Sequence, residues 1–135
     1  MKRDMDLVRK ILFAMEELPP FATQPIEIEG YDKQQVAYHC EMLCQKGYIK
    51  HYHGETCDNF DGVIAFWVQD LTWEGQDFLE TIRQDTIWNN TKKAIKDKGL
   101  PMLTSTIGTI ATAFITATAE GVANSIIEHI KNGGI

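Results

Sequence analysis

The sequence predicts an α+β fold: a winged helix built in the order helix, short strand, helix, β-hairpin wing and helix, with an added C-terminal helical tail. Two stretches, residues 4–18 and 32–46, carry apolar residues at helical spacing, and two β-rich runs separated by turn residues follow them. The tail differs in composition, since of the 13 Lys and Arg residues only Lys131 lies after Lys98. This change predicts a separate C-terminal element.

The first predicted helix is capped by Asp4 or Asp6 and ends before Pro19 and Pro20, which cannot continue it. Its apolar face, at spacings of one, three and four, consists of Leu7, Val8, Ile11, Leu12, Met15 and Leu18. The run from Pro25 to Gly30 then alternates apolar and acidic residues. This alternation predicts a short strand that a glycine turn closes.

The second predicted helix begins after Asp32, a good N-cap residue, and stops at Gly47. Its buried face repeats at i, i+4, i+7 and i+8 through Val36, Cys40, Leu43 and Cys44. The opposite face offers the polar residues Lys33, Gln34, Gln35, Tyr38 and His39. We expect this second face to be exposed.

Residues 48–52 and 63–68 are rich in β-branched and aromatic residues and predict a hairpin around a turn at 53–62. Thr72 can cap the next helix, and a further helix leads to a Gly99 cap. Core packing is the expected role of Phe78, Leu79 and Ile82, and of the aromatic residues Trp67, Trp73 and Trp88. The predicted domains are a winged-helix domain at 1–86, a basic connecting helix at 87–99 and an apolar helix at 100–131.

The chain also resembles a known family. The segments MKRDMDLVRKIL, EGYDKQQVAYHCEMLCQKGYI, LTWEGQDFLETIRQDTIWNNTK and KGL are similar to those of the short phage and bacterial proteins of domain-of-unknown-function family twenty-five thirteen. The resemblance spans most of residues 1–100. It implies a winged-helix fold and a home among phage or other mobile-element genes, and it supplies no activity.

Two kinds of partner are compatible with the second helix and the wing. Gln and Lys side chains can contact bases or phosphates, so Lys33, Gln34, Gln35, Tyr38, His39 and Lys50 are the candidate nucleic-acid or partner-binding residues, with Lys46 near the DNA backbone. The predicted wing tip is acidic, with Glu55, Asp58 and Asp61, and the formal net charge is −6. Phosphate contacts require cations, so the charge favours a protein partner over DNA, and both hypotheses remain open.

Enzymatic chemistry is not indicated. The sequence has no Gly-rich phosphate loop, nucleophile elbow or His-Glu-x-x-His pair. Soft metal ligands do occur at His39, Cys40, Cys44, His51, His53 and Cys57, but without a zinc-binding spacing. We therefore expect no enzyme, cofactor or metal. An odd number of cysteines and a charged N-terminus without a secretory signal predict a cytoplasmic protein.

The tail is the most distinctive segment, because residues 99–119 contain no charged residue and seven Ser or Thr. Its length would suit a bilayer, but its polarity and Gly108 weaken that interpretation. Alternating spacings of four and three predict a helix–helix seam through Leu103, Ile107, Ile110, Phe114, Ala117 and Gly121. A second stripe continues through Ala119, Val122, Ile126 and Ile130. We favour a homo-oligomer through this helix over membrane contact.

Overall fold

The computed structural model describes the backbone of residues 1–131 and the side chains of residues 1–121. In this part of the chain it has five helices and one antiparallel hairpin, which confirms the predicted α+β class. The elements are α1 (Met5–Glu16), α2 (Lys33–Lys46), β1 (Ile49–Cys57), β2 (Phe60–Leu71), α3 (Trp73–Ile82), α4 (Asp85–Asp97) and α5 (Thr104–Lys131).

The capping residues at their ends set the bounds of α1 and α2. The Asp4 carboxylate accepts a hydrogen bond from Leu7 N–H at 3.1 Å and so caps α1. Helix α2 ends at Gly47, whose φ of +89° lies in the left-handed region that glycine adopts without strain. The apolar stripe predicted for α1 is buried from Leu7 to Met15. Strand β1 follows two residues after Gly47.

The hairpin is longer than the sequence pattern predicts. Its strands pair from Ile49 opposite Leu71 to Cys57 opposite Phe60, with an irregularity between Glu55 and Cys57. The predicted turn over residues 53–62 is therefore wrong, and only two residues separate the strands. Antiparallel pairing needs no buried face, so the ladder continues through exposed polar residues that carry no apolar alternation.

The short strand predicted from Pro25 to Gly30 is not a strand. Instead, Gln24 forms a single bridge with Val68, in which each N–H donates to the other's carbonyl, at 3.0 and 2.8 Å. Pro25 offers no N–H, and Gly30 turns the chain with a φ of +87°. Pairing therefore stops after one residue.

Helix α3 is docked on the start of the hairpin. The Thr72 hydroxyl donates to the Gly47 carbonyl and accepts from Gly75 N–H at 3.0 Å, which confirms Thr72 as the cap. A Cβ at Gly75 would collide with the Tyr48 carbonyl oxygen, so only glycine permits this approach. Trp73 is 79% exposed, and its predicted core position is wrong because the residue lies in the solvent-facing first turn of α3.

The chain divides into two compact units, Met1–Glu80 and a second that begins at Thr81. In the first unit the core lies among α1, α2 and the hairpin, which contact one another. In the second, α4 and α5 pack together. Among their described side chains, those of residues 85–97 and 104–121, the fully or nearly buried ones are Ile87, Trp88, Thr91, Ile95, Ile107 and Ala111. Gly99, with a φ of +64°, follows α4 as predicted.

Candidate functional site

The first turn of α2 is closed by a reciprocal pair of hydrogen bonds. Gln35 Oε1 accepts from Asp32 N–H at 3.0 Å, and Gln35 N–H donates to the Asp32 carboxylate at 2.9 Å. This capping box satisfies backbone donors that a helix leaves without partners at its start. Gln35, predicted to contact a partner, is thus occupied in starting the helix.

Two neighbouring side chains join α2 to the hairpin. The Gln34 amide donates to the Val63 carbonyl and accepts from Val63 N–H, both at 2.8 Å. The Lys33 ammonium donates to the Ile64 carbonyl at 3.0 Å. A Cβ at Gly62 would collide with the Gln34 side chain, so this glycine makes room for the amide. Gln34 pairs with β2 much as a neighbouring strand would.

His39 is only 1% exposed, which corrects the expectation that it lies on the solvent face of α2. Its Nε2 accepts from Asp4 N–H at 2.9 Å, and its Nδ1 donates to the Gln35 carbonyl at 2.7 Å. Because a backbone N–H can only donate and a carbonyl can only accept, a neutral ring protonated on Nδ1 satisfies both groups. His39 therefore ties the start of α1 to α2.

The remaining predicted contact residues, Tyr38 and Lys50, are exposed, and the described part of the chain shows no hydrogen bond to either side chain. The Tyr38 ring lies edge-on to His39 at 5.9 Å between centroids. Lys46 is also exposed and lies 5.9 Å from the centre of the Tyr48 ring. The acidic residues of the hairpin tip, Glu55, Asp58 and Asp61, are exposed as well.

The outer edge of β2, turned away from β1, carries a second set of polar groups. Val68 directs its N–H and carbonyl outward to Gln24. Alternate residues of a regular strand direct these groups to the same side, so Phe66 also points outward. Beyond Ala65 the register is irregular, and both Val63 and Ile64 direct backbone groups to α2, where Gln34 and Lys33 bond them. Phe66 therefore lies between two bonded stretches of the β2 edge.

A cleft of about 820 Å³ opens beside Phe66, between β2 and the segment that follows Gln24. We name it the β2 cleft. Its lining residues are Pro25, Ile26, Glu27, Ile28, Glu29, Gly30, Tyr31, Lys33, Val36, Ala65, Phe66 and Trp67. The Glu27 and Glu29 side chains are exposed at its rim. Burial raises the pKa of Tyr31. The negative charge of Asp4 and a hydrogen bond with the Asp4 side chain raise this pKa further.

A strained corner lies beyond the far end of this edge. Phe21 and Asp70 both have positive φ, 66° and 47°, which side chains rarely adopt. Phe21 N–H donates to the two Asp70 carboxylate oxygens at 3.1 and 3.3 Å, and Gln69 Nε2 donates to the Phe21 carbonyl at 2.8 Å. These bonds hold Phe21 with 77% of its surface exposed. Only the preceding Pro19-Pro20 gave a local signal for this corner.

The predicted seam of α5 is only partly covered. Ile107 is buried, Ile110 and Phe114 are half-buried, and Leu103, Ala117 and Gly121 are exposed. All seven residues from 115 to 121 are exposed, so neither face of the helix is covered there. The side chains of Val122, Ile126 and Ile130 lie outside the described residues. Over those that are described, none of the helices has the length and hydropathy that crossing a bilayer requires.

The candidate metal ligands are not brought together. Within the described residues, no three His, Cys, Asp or Glu side chains are placed to hold a metal ion. Cys40 is buried, as predicted from its helical spacing, and Cys57 is exposed on β1. Burial raises the pKa of the Cys40 thiol to about 12.

Comparison with known proteins identifies the family. The model of a family described as hypothetical protein (DUF2513) matches residues 2–101. The chain belongs to the DUF2513 family. This confirms the resemblance seen in the sequence. The DUF2513 match ends close to the start of α5, whereas a relative in Haemophilus influenzae, called an uncharacterized protein, is similar over more of the chain.

That relative is 31% identical over 118 residues, which cover 86% of this chain and 97% of the relative. A match of this extent includes part of α5 as well as the DUF2513 region. No solved structure matches the chain.

Proposed function

We propose that the chain is a non-enzymatic winged-helix protein that acts through protein–protein contacts as a homo-oligomer. The winged-helix assignment is supported by the order α1, α2, hairpin, α3. It is also supported by the single Gln24 bridge to β2, which lies between α1 and α2, where a winged helix has its short strand. The role we propose is that of a regulatory adaptor or inhibitor, and the sequence resemblance implies only that such a protein belongs among phage or other mobile-element genes.

The observation that carries the choice of partner is the state of the α2 side chains. In a DNA-binding winged helix these groups must be available to base edges and phosphates. Here Lys33 and Gln34 are bonded to the hairpin, Gln35 caps the helix and His39 is buried. Reading DNA would require several of these bonds to break. The acidic hairpin tip and the net charge of −6 add repulsion of phosphate.

Self-association is supported by α5. Residues 115–121 are exposed on every side, and Glu120 is their only charged member. A short helical stretch without tertiary packing is marginal in water, and apolar surface such as that of Ile115 favours burial. A second copy supplies a surface of the same composition. Two copies of α5 packed along the Phe114 to Gly121 part of the predicted seam would cover this stretch, whereas Ile107 is already buried within the chain.

A DNA-binding regulator is the second candidate, and the exposed Lys46 and Lys50 favour it. Fluorescence anisotropy with a labelled random-sequence duplex, at low and at physiological salt, separates the two. We expect no binding in physiological salt, and no difference between wild type and Lys33→Ala. Salt-dependent binding that Lys33→Ala weakens would overturn the proposal in favour of the DNA reader.

A further inference from the structure

The β2 cleft is lined by β2, by the segment after Gln24 and by the start of α2. We infer that it binds a short, extended, basic peptide segment of a protein partner, which pairs with the backbone of Phe66. This inference rests on the proposed function, because it states the chemistry of the protein that the chain would bind.

The first argument is the interrupted ladder. After Gln24 opposite Val68, an antiparallel register would next bring Ile26 opposite Phe66, but the segment from Pro25 forms no strand. By the alternation along β2, the N–H and carbonyl of Phe66 are turned away from β1, on the side where this residue, which is 3% exposed, lines the β2 cleft; no hydrogen bond in the described part of the chain reaches them from that side. An outward N–H and carbonyl on one strand residue is the element that β-augmentation uses.

The second argument is size. The backbone is already bonded on either side of Phe66, at the Ile64 carbonyl by the Lys33 ammonium and at Val68 by Gln24. The edge between them spans four residues, about 13 Å at roughly 3.3 Å per residue. The cleft volume of about 820 Å³ lies in the range of ligand pockets. It therefore suits a segment of a few residues and not a whole added strand.

The third argument is charge. Glu27 and Glu29 line the β2 cleft and are exposed. Lys33 is the one cation among the lining residues that the structure describes, and its ammonium is already bonded to the Ile64 carbonyl. The Tyr31 ring already has the Lys10 ammonium of the same chain over it, 5.3 Å from its centre, which shows that a cation can lie against the lining of the cleft. The occupant should therefore carry basic side chains.

The test is a ¹⁵N–¹H correlation titration of the full chain at low salt with a defined probe. The probe is an acetylated and amidated five-residue peptide in which valine and lysine alternate. We expect saturable shifts that include the Phe66 amide and the amides of residues 26–29. N-methylation of the central peptide residue removes a backbone donor and should weaken binding, as should replacement of lysine by glutamate.

Two matched double variants distinguish an effect of the cleft residues from an effect of the overall net charge. Glu27→Gln with Glu29→Gln should weaken the lysine peptide about three- to tenfold, the scale of two exposed charge contacts. Glu17→Gln with Glu74→Gln makes the same change in net charge at exposed residues outside the cleft and should leave binding unchanged. Equal weakening by both pairs would overturn the inference.

Absence of a Phe66 shift at millimolar peptide, or undiminished binding of the N-methylated peptide, would also overturn it. A separate titration with duplex DNA tests the proposed function independently of the peptide inference. Salt-dependent shifts at the Lys46 and Lys50 amides would contradict the proposed function, whereas the peptide series alone decides the role of the β2 cleft.

Discussion

Replacement of His39 by alanine should destabilise the fold by about 3 kcal/mol. The imidazole is buried and makes two hydrogen bonds, to Asp4 N–H at 2.9 Å and to the Gln35 carbonyl at 2.7 Å. Leaving a buried polar group without its partner costs about 1–3 kcal/mol, and removing a large buried side chain costs a similar amount or more. Water can reach part-buried Asp4 in the variant, so the total stays near the lower end of the sum. Domain stabilities are only about 5–15 kcal/mol, so such a loss is large.

Urea unfolding followed by circular dichroism measures this loss, at one protomer concentration because oligomers unfold in a concentration-dependent way. His39→Gln keeps an acceptor near the position of Nε2 and should recover part of the stability. Hydrogen exchange should speed up at the first turns of α1 in His39→Ala, since the histidine holds Asp4. A loss below about 0.5 kcal/mol, the range of surface substitutions, would refute the argument that His39 joins α1 to α2.

Three further predictions follow from particular contacts. Gly75→Ala should lower the free energy of unfolding by about 1–3 kcal/mol in the same urea assay, because its Cβ would collide with the Tyr48 carbonyl. Gly108→Ala is the control: a Cβ there meets open space on α5 and should not destabilise the fold. Gln34→Ala should speed hydrogen exchange at the Val63 amide and cost about 1–2 kcal/mol, since both bonds to that residue are lost; an unchanged exchange rate would contradict this. Thiol labelling should modify Cys57 readily and Cys40 only on unfolding. Burial raises the pKa of Cys40 from 9.0 to about 12, so the stability that its proton contributes is present below pH 9 and falls as the pH rises through about 12, a loss that Cys40→Ala should reduce.

The sequence was sufficient for the features that local chemistry determines. The spacing of apolar residues predicted α1 and α2, and the caps at Asp4, Asp32 and Gly47 lie where their side chains or backbone freedom require them. Thr72 was predicted as a cap for the same reason. These features depend on residues within a few positions of one another, which a single sequence displays directly.

Features that depend on distant contacts were missed or wrong. His39 lies three residues after Val36 and four before Leu43, on the edge of the buried stripe, but as a polar residue it was assigned to the solvent face; the bond that satisfies it in the core comes from Asp4, 35 positions away. Trp73 was assigned to the core from its size alone, and the first turn of α3 exposes it. The bonds from Gln34 and Lys33 to the hairpin could be predicted only by knowing that α2 packs beside β2. The same holds for the unbonded backbone of Phe66. Periodicity carries no such information.

The most direct test of the account is the mass of the full chain in solution, measured by size-exclusion chromatography with light scattering and without detergent. We predict a discrete species of at least twice the 15.3 kDa of one chain, which Ala117→Asp, in the exposed part of the seam, converts to a single chain. Thr112→Asp adds the same charge at an exposed position on the side of α5 opposite the seam and should leave the oligomer intact. A wild-type chain that elutes at 15.3 kDa over the micromolar range would contradict the proposed self-association of α5.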